Sequence, residues 1–331
     1  MRQAIAHSRA ALGATSPNPP VGAIIVAPDG TVVGRGHTQP PGGPHAEIVA
    51  LADAGAAARG ATAIVTLEPC NHTGRTGPCA AALIDAGVAR VIYAVADPNP
   101  VASGGAGRLR AAGVDVHGGV LDAEARRGPL RQWLFTQAHG RPFVTVKIAA
   151  TVDGRIAAPD GTSQWITGPD ARARAHRQRA EIDAIVVGTG TVLRDDPALT
   201  ARLADGTLAA HQPIRVAMGH RDVPAGAQLH DESAPFRHVR THSPAQVLAA
   251  LPEATWVLVE GGPSIIGAFF DADLVDEVEA YIAPVVLGAG VSAVARGDVG
   301  TLTDGRRLQL ADVETLGDDV LIRWERAAAR P

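Results

Sequence analysis

Cysteine is nearly absent: the 331 residues contain two, Cys70 and Cys79. That count excludes a disulfide scaffold, and leaves a single disulfide or two buried thiols as the plain alternative to any chemistry the pair performs. Aromatic residues amount to 3%, too few for the stacking platforms on which single-stranded nucleic acid lies. Lys and Arg form no long cluster and the formal net charge is -4. The basic surface that nucleic-acid binding needs for counterion release is therefore missing too. No apolar run approaches the roughly 18 residues that cross a bilayer. The first ten residues, Met1 to Ala10, read as a polar-faced helix rather than a signal peptide. The cytoplasm is the expected location, with no nucleic-acid and no membrane partner. A small acidic or phosphorylated substrate stays open, because a local basic pocket leaves no trace in a net charge.

What is present is ordinary for a compact protein: 46% apolar and 19% charged residues, in a chain long enough for two domains. Val21 to Val26 is an apolar strand, Asp29-Gly30 a turn, and Thr31 to Gly36 its hairpin partner. Helices at Ala46 to Ala58 and Ala80 to Ala86 alternate with strands at Thr62 to Leu67 and Arg90 to Ala96. A further helix ends at Gly113, ahead of a short strand, Val114 to His117. A second series begins with Phe143 to Ala149 and continues through strands at Ala184, Ile214, Thr255, Glu277 and Val320. Alternation of this kind implies layered α/β sheets. The boundary is expected near residue 140, giving domains 1–140 and 141–331.

Three features of the first half converge on a metal. His45-Ala46-Glu47 opens a helix after the turn Pro40 to Pro44, Cys70 follows a strand, and Cys79 stands after Pro78 at the next helix start. One imidazole and two thiolates suit zinc, and three protein ligands leave a position for water, the pattern of a catalytic site. The helix start is expected to favour thiolate at Cys79. Bound zinc lowers the pKa of its water towards ~7. Glu47, two residues past His45, is placed to move protons from that water to a ring nitrogen and to departing ammonia, as in zinc base deaminases. A His-x-Glu by itself is usually a helix start with surface charge, and a structural zinc site would need a fourth ligand, for which His72 is the nearby candidate.

The run from Glu68 through Cys70, Asn71, His72, Thr73, Gly74 and Arg75 to Cys79 resembles the bifunctional deaminase/reductase family of riboflavin biosynthesis. Its eight-residue loop between cysteines separates that family from most cytidine and tRNA-adenosine deaminases, which place two residues there. Asn18-Pro19-Pro20-Val21-Gly22, Pro44-His45-Ala46-Glu47 and Asp97-Pro98-Asn99-Pro100 match as well, and the resemblance spans essentially the whole chain. It implies a cytidine-deaminase-like α/β/α sandwich at the N-terminus, with Asn18, His72 and Arg75 binding the pyrimidine and its phosphoribosyl arm. Gly77 departs from the family's usual Pro-Pro-Cys.

In the second half, Gly188-Thr189-Gly190-Thr191-Val192-Leu193 begins like a dinucleotide fingerprint, but Leu193 replaces the third glycine. What remains is strand followed by glycine twice, at Gly188-Thr189-Gly190 and at Glu260-Gly261-Gly262-Pro263-Ser264. Either turn could expose backbone N–H groups to a pyrophosphate, or only allow close packing. Lys147 to Arg155, Ser163-Gln164-Trp165, Gly190 to Pro197 and Glu260-Gly261-Gly262 resemble the reductase half of the same family. The resemblance implies a dihydrofolate-reductase-like α/β domain that uses NADPH. Ala149, Trp165, Thr191, Asp195 and the stretch from Gly262 through Pro263 and Ser264 would line the cofactor. Ser163, Arg179, Leu199, Arg202 and Glu260 would hold the substrate, the two arginines near its phosphate. Met218-Gly219-His220 stands where the family has the aspartate-containing end of a cofactor-contacting strand, so no contact is expected there.

The expectation is therefore a zinc- and NADPH-dependent enzyme of two steps on a small phosphoribosylaminopyrimidine, assembled as a homo-oligomer, dimer or larger. The alternative is a deaminase whose second half only binds nucleotide or substrate. Asp195, Asp196 and Glu260 are equally placed by sequence to handle protons in the reduction.

Overall fold

Aliphatic runs and the glycines that interrupt them determine how helices approach two separate sheets. The structure is a computed structural model and describes residues 1–72, 77–297 and 299–327. It divides into two compact units, Met1–Arg141 and Pro142–Pro331.

The first unit runs α1 (Arg2–Ser8), β1 (Gly22–Val26), β2 (Val32–His37), α2 (Ala46–Ala54), β3 (Thr62–Leu67), α3 (Cys79–Asp85) and β4 (Arg90–Val95). It closes with α4 (Gly105–Ala111), β5 (Asp115–His117), α5 (Asp122–Arg127) and α6 (Arg131–His139). The strands lie in the order β2-β1-β3-β4-β5, antiparallel through β3 and parallel beyond it. Two glycines show the layering. A β-carbon on Gly22 would collide with the Ala4 carbonyl of α1, and one on Gly36 with the Ala46 carbonyl of α2. Gly36 pairs with Ala23, the neighbour of Gly22. Cross-strand partners share a face and successive residues alternate, so α1 and α2 cover opposite faces of the sheet. That is the expected α/β/α sandwich. Its core is aliphatic, with Ile25, Val65, Leu83, Val91 and Leu109 buried and Trp133 of α6 closing one end.

The second unit runs β6 (Phe143–Thr151), β7 (Arg155–Ala157), α7 (Pro169–Arg179), β8 (Ala184–Gly188), α8 (Thr189–Asp195), β9 (Ile214–Met218), β10 (Phe236–Val239) and α9 (Pro244–Ala249). It continues with β11 (Trp256–Gly261), α10 (Pro263–Asp271), β12 (Glu277–Ala283), β13 (Val291–Ser292), β14 (Leu308–Leu316) and β15 (Asp319–Arg326). Eight strands form one sheet in the order β10-β9-β8-β11-β6-β12-β15-β14. From β10 to β12 all neighbours are parallel, and β15 and β14 add an antiparallel edge. β8 and β11 at the centre of the sheet are buried along nearly their whole length, so they read as apolar runs rich in Val. Asp183 ties the strand starts together, its Oδ2 accepting from Thr255 N, Thr255 Oγ1 and Trp256 N at 2.7–2.9 Å. The fully buried Arg215 of β9 donates to the carbonyls of Ala198 and Gln228 at 3.3 and 3.1 Å, which ties two loops to the start of this strand.

α7, α8, α9, β10 and β14 were not expected from the sequence. Among the described residues no helix is long and apolar enough to cross a membrane.

Candidate active sites

In the first unit α2 and α3 both begin at the carboxyl side of the sheet, and their first residues meet. His45 is the N-cap of α2 and Cys79 the first residue of α3, while Cys70 stands three residues beyond β3. Both thiols are free and buried, so no disulfide joins them. His45 Nδ1 lies 3.6 Å from Cys70 Sγ and 3.3 Å from Cys79 Sγ. Zinc bonds of about 2.3 Å to sulfur and about 2.0–2.1 Å to nitrogen, at tetrahedral angles, hold such donors roughly 3.6 Å apart. The three atoms thus fit the ion in spacing and in chemistry. Among the described residues the group has these three members, all within 4.8 Å of one another, and His72 is not a fourth.

The first N–H of α3, on Cys79, donates to Cys70 Sγ at 3.3 Å. The Cys79 side chain also donates there and, with His45, pulls the Cys70 thiol down to about 4. Cys79 is pushed up, chiefly because it gives that hydrogen bond and is buried. The start of α3 thus gives the Cys70 sulfur a backbone donor, and both sulfurs bind zinc as thiolates. Burial, reinforced by the negative charge of Cys70, pushes Glu47 up to about 7. A carboxyl in that range takes and gives a proton near neutrality.

Glu47, His45 and Cys70 line a cavity of about 200 Å³. Asn18 and His72 line it too, His72 with a buried Nδ1 that has no protein partner. Arg75 lies outside the described residues. The sequence reading missed Asp97, Asn99, Trp133 and Gln137 in the same wall. The acid at 97 and the amide at 99 were visible only as part of a motif, and the α6 pair is far away in sequence. Glu68 braces the Cys70 loop, its two carboxylate oxygens accepting from Ala106 N at 3.0 Å and Asp97 N at 3.4 Å. Gly105 permits this, since a β-carbon there would collide with the Pro69 carbonyl.

The second unit has a cavity of about 1060 Å³ between α7, the segment 195–206 and the side chains of Lys147 and Tyr281 on β6 and β12. Ala149, Trp165, Asp195, Ser163, Arg179, Leu199 and Arg202 line it. Glu260 lies behind this wall. Its carboxylate takes Arg179 Nε and Nη2 at 2.9 and 2.7 Å, with Lys147 Nζ 3.9 Å away. Thr191, Gly262, Pro263 and Ser264 form a second group outside the lining of the cavity. Thr191 Oγ1 is 3.3 Å from where a β-carbon on Gly262 would stand, and α10 starts at Pro263. Gly261 and Gly262, after β11, pack against Thr191 of α8, and glycines between a strand and a helix start suit the phosphates of a dinucleotide. Lys147, His176 and Tyr281 were missed. A lone Lys in the apolar run of β6 was the available signal, because a buried charge needs a partner or a task.

The comparisons with known proteins agree with this geometry. The model of the RibD C-terminal domain matches residues 142–322. That of the cytidine and deoxycytidylate deaminase zinc-binding region matches residues 1–95. The riboflavin biosynthesis protein RibD of Mycobacterium tuberculosis is 54% identical over 322 residues, which cover 97% of this chain and 95% of the relative. The chain belongs to the RibD family. RibD of Escherichia coli is 40% identical, with 93% of each chain covered. A solved deaminase/reductase of Thermotoga maritima superposes with a TM-score of 0.90 at 33% identity, covering 99% of this chain and 97% of the other. RibD of Acinetobacter baumannii gives 0.88 at 36%, covering 99% and 98%. As a RibD-family member the chain is a bifunctional enzyme of riboflavin biosynthesis, with a zinc-binding deaminase domain and a reductase domain.

Proposed function

We propose that residues 1–140 deaminate diaminohydroxyphosphoribosylaminopyrimidine at the carbon between its two ring nitrogens. Residues 141–331 then reduce the ribosyl group of the product to a ribityl chain with NADPH. The observation that carries the first half is the meeting of His45, Cys70 and Cys79 within 4.8 Å of one another, with His45, Cys70 and buried Glu47 lining one small cavity. His45, Cys70 and Cys79 would hold the zinc, which when bound would make a water nucleophilic at neutral pH. Glu47 takes the proton from that water, passes it to the ring nitrogen, and delivers the second to the leaving ammonia. Asn18 and His72, facing the same space, hold the pyrimidine; Arg75 is assigned to the phosphoribosyl arm on family resemblance.

In the second unit NADPH supplies the hydride for the anomeric carbon. Of the three acids that could handle protons there, Glu260 is held charged by Arg179 and Lys147. Asp196 Oδ1 is engaged by Gln228 N at 2.9 Å. Asp195 faces the cavity and is the acid assigned to the ribose. Arg179 has its fork on Glu260, so Arg202 is assigned to the substrate phosphate. Ser163 and Leu199 shape the substrate side, and Ala149, Trp165, Thr191 and Gly262 to Ser264 the cofactor side. A cytoplasmic location and a homo-oligomeric assembly complete the reading.

The test is a paired assay on the full chain: ammonia release from the diaminopyrimidine, and NADPH oxidation when the deaminated product is supplied. Both signals are expected. Ammonia release that persists in Glu47→Ala would remove Glu47 from the mechanism, and absence of NADPH oxidation would remove the reductase half.

A further inference from the structure

β6 and β12 lie side by side and end together, with Thr151 opposite Ala283. The chain leaves each strand on a short excursion, and the two excursions are bonded to each other. Val152 N donates to the Val285 carbonyl at 2.9 Å, and Ala293 N to the Gly154 carbonyl at 3.3 Å. Further out β7 and β13 pair, Ala157 with Val291 and Arg155 with Ser292. Gly290, with φ 127°, permits this approach, since a β-carbon there would collide with the Ala157 carbonyl.

One side chain ties the two at their roots. Asp153 Oδ1 accepts from Thr151 Oγ1 at 2.6 Å and from Leu287 N at 3.2 Å, and its Oδ2 accepts from Gly288 N at 2.7 Å. The Thr151 hydroxyl oxygen accepts in turn from Arg155 N at 2.9 Å, where β7 begins. The Thr151 hydroxyl and the two amides hold the Asp153 carboxyl down to about 2, so at neutral pH it is an acceptor-only carboxylate. Each excursion leads to residues on the cofactor side. β7 runs on into the segment of Ser163 and Trp165, and Ile156, Ser163 and Trp165 line the reductase cavity. β13 runs on to Ala295, whose N donates to the Pro263 carbonyl at 3.1 Å at the start of α10. A β-carbon on Gly267 would collide with the Ala295 carbonyl, so this contact is close. Trp165 and the turn from Gly262 to Ser264 are therefore attached to opposite partners of one bonded pair.

We propose that Asp153 is a positioning residue for the reduction: it clamps the excursions after β6 and β12 together and so keeps Trp165 and the Gly262 to Ser264 turn placed for the dinucleotide. The inference rests on the assignment of those residues to the cofactor side. Asp153 is not part of the cavity lining, so it acts through the segments it holds. A pair of short strands is marginal by itself in water. Charge-assisted bonds from one carboxylate to both excursions therefore bear on how often the pair is formed. A site that must be assembled before it binds loses apparent affinity in proportion to the fraction of molecules in which it is assembled.

Calorimetric titration of the full chain with NADPH, together with hydrogen exchange of its backbone amides, tests this in wild type, Asp153→Asn and Asp153→Ala. The Asn variant keeps one acceptor oxygen and the size of the side chain, so it reports on the clamp even if the Ala variant folds poorly. NADPH affinity is expected to fall by about tenfold in the variants. Amides of 158–167 and 285–293 should exchange faster, and saturating NADPH should restore their wild-type protection. KM for NADPH should rise with kcat near wild type, because saturating cofactor refills the assembled state. Faster exchange with wild-type NADPH affinity would reduce Asp153 to a local brace and overturn the proposal. Weaker binding without faster exchange at 158–167 would overturn it as well. A wild-type chain that did not bind NADPH would instead overturn the assignment of the cofactor side, and the proposal with it.

Discussion

Glu260 and Arg179 form a two-pronged ion pair beneath the floor of the larger cavity, Nε and Nη2 reaching the two carboxylate oxygens at 2.9 and 2.7 Å. Burial alone would raise the Glu260 carboxyl, but the charges of Arg179 and Lys147 outweigh it and bring it down to about 2. The folded value lies below the ordinary glutamate value of about 4.3. Its contribution to stability is thus complete above that pH and is lost as pH falls towards 2. Thermal unfolding followed across this window should show a steep loss in wild type and a shallower one in Glu260→Gln. Glu260→Ala strands two mostly buried cations and should cost about 3–5 kcal/mol. The double variant Arg179→Met, Glu260→Leu should cost less than the two single changes added together.

Glu47→Gln keeps the volume of the side chain and removes its ability to carry a proton. Ammonia release is expected to fall by about 10²–10⁴-fold, the usual contribution of one acid/base group. Zinc content, measured by atomic absorption, should be that of wild type, because Glu47 is not one of the three donors. NADPH oxidation on the deaminated product should continue, since none of the reductase cavity's lining comes from the first unit. A variant that lost its zinc would show that Glu47 acts on the site's structure instead.

The deaminase centre was legible because its donors sit at element boundaries marked by local signals. Pro44 precedes His45, Pro78 precedes Cys79, and helix starts place their first side chains predictably. Trp133 and Gln137 complete the same cavity from α6, a contact that no local pattern encodes. The missed elements have physical reasons. α7 buries only Ala171, Ala175 and Gln178, so it has no apolar stripe to recognise. β14 carries a bulge between Leu310 and Asp312 that breaks the alternation of its side chains, and Leu310 and Val313 are exposed at the sheet edge.

Gly105→Ala probes the brace behind the zinc ligands. The added methyl would meet the Pro69 carbonyl, one residue before Cys70, and the loop must move. Zinc affinity should fall by about 10–100-fold, as for other changes to groups that orient metal ligands. Competition with a chromogenic chelator measures it. Gly107→Ala, on the same helix with open space at its β-carbon, should leave zinc affinity unchanged.

Arg202 and Arg179 both line the reductase cavity, but their side chains are committed differently. Arg179 has Nε and Nη2 on Glu260 and Nη1 on the Thr200 carbonyl at 3.2 Å. Arg202 is exposed, with a contact from Nη1 to the Gly206 carbonyl at 2.9 Å, and keeps donors for a phosphate. A remote phosphate contact is made equally in ground state and transition state, so its loss raises KM and spares kcat. Arg202→Ala should therefore raise KM for the deaminated substrate about tenfold, with kcat near wild type. KM for NADPH should not move. Arg179→Ala should instead lower the unfolding temperature. A fall in kcat with unchanged KM for Arg202→Ala would mean that this arginine acts on the reacting carbon, and that the substrate phosphate is held elsewhere.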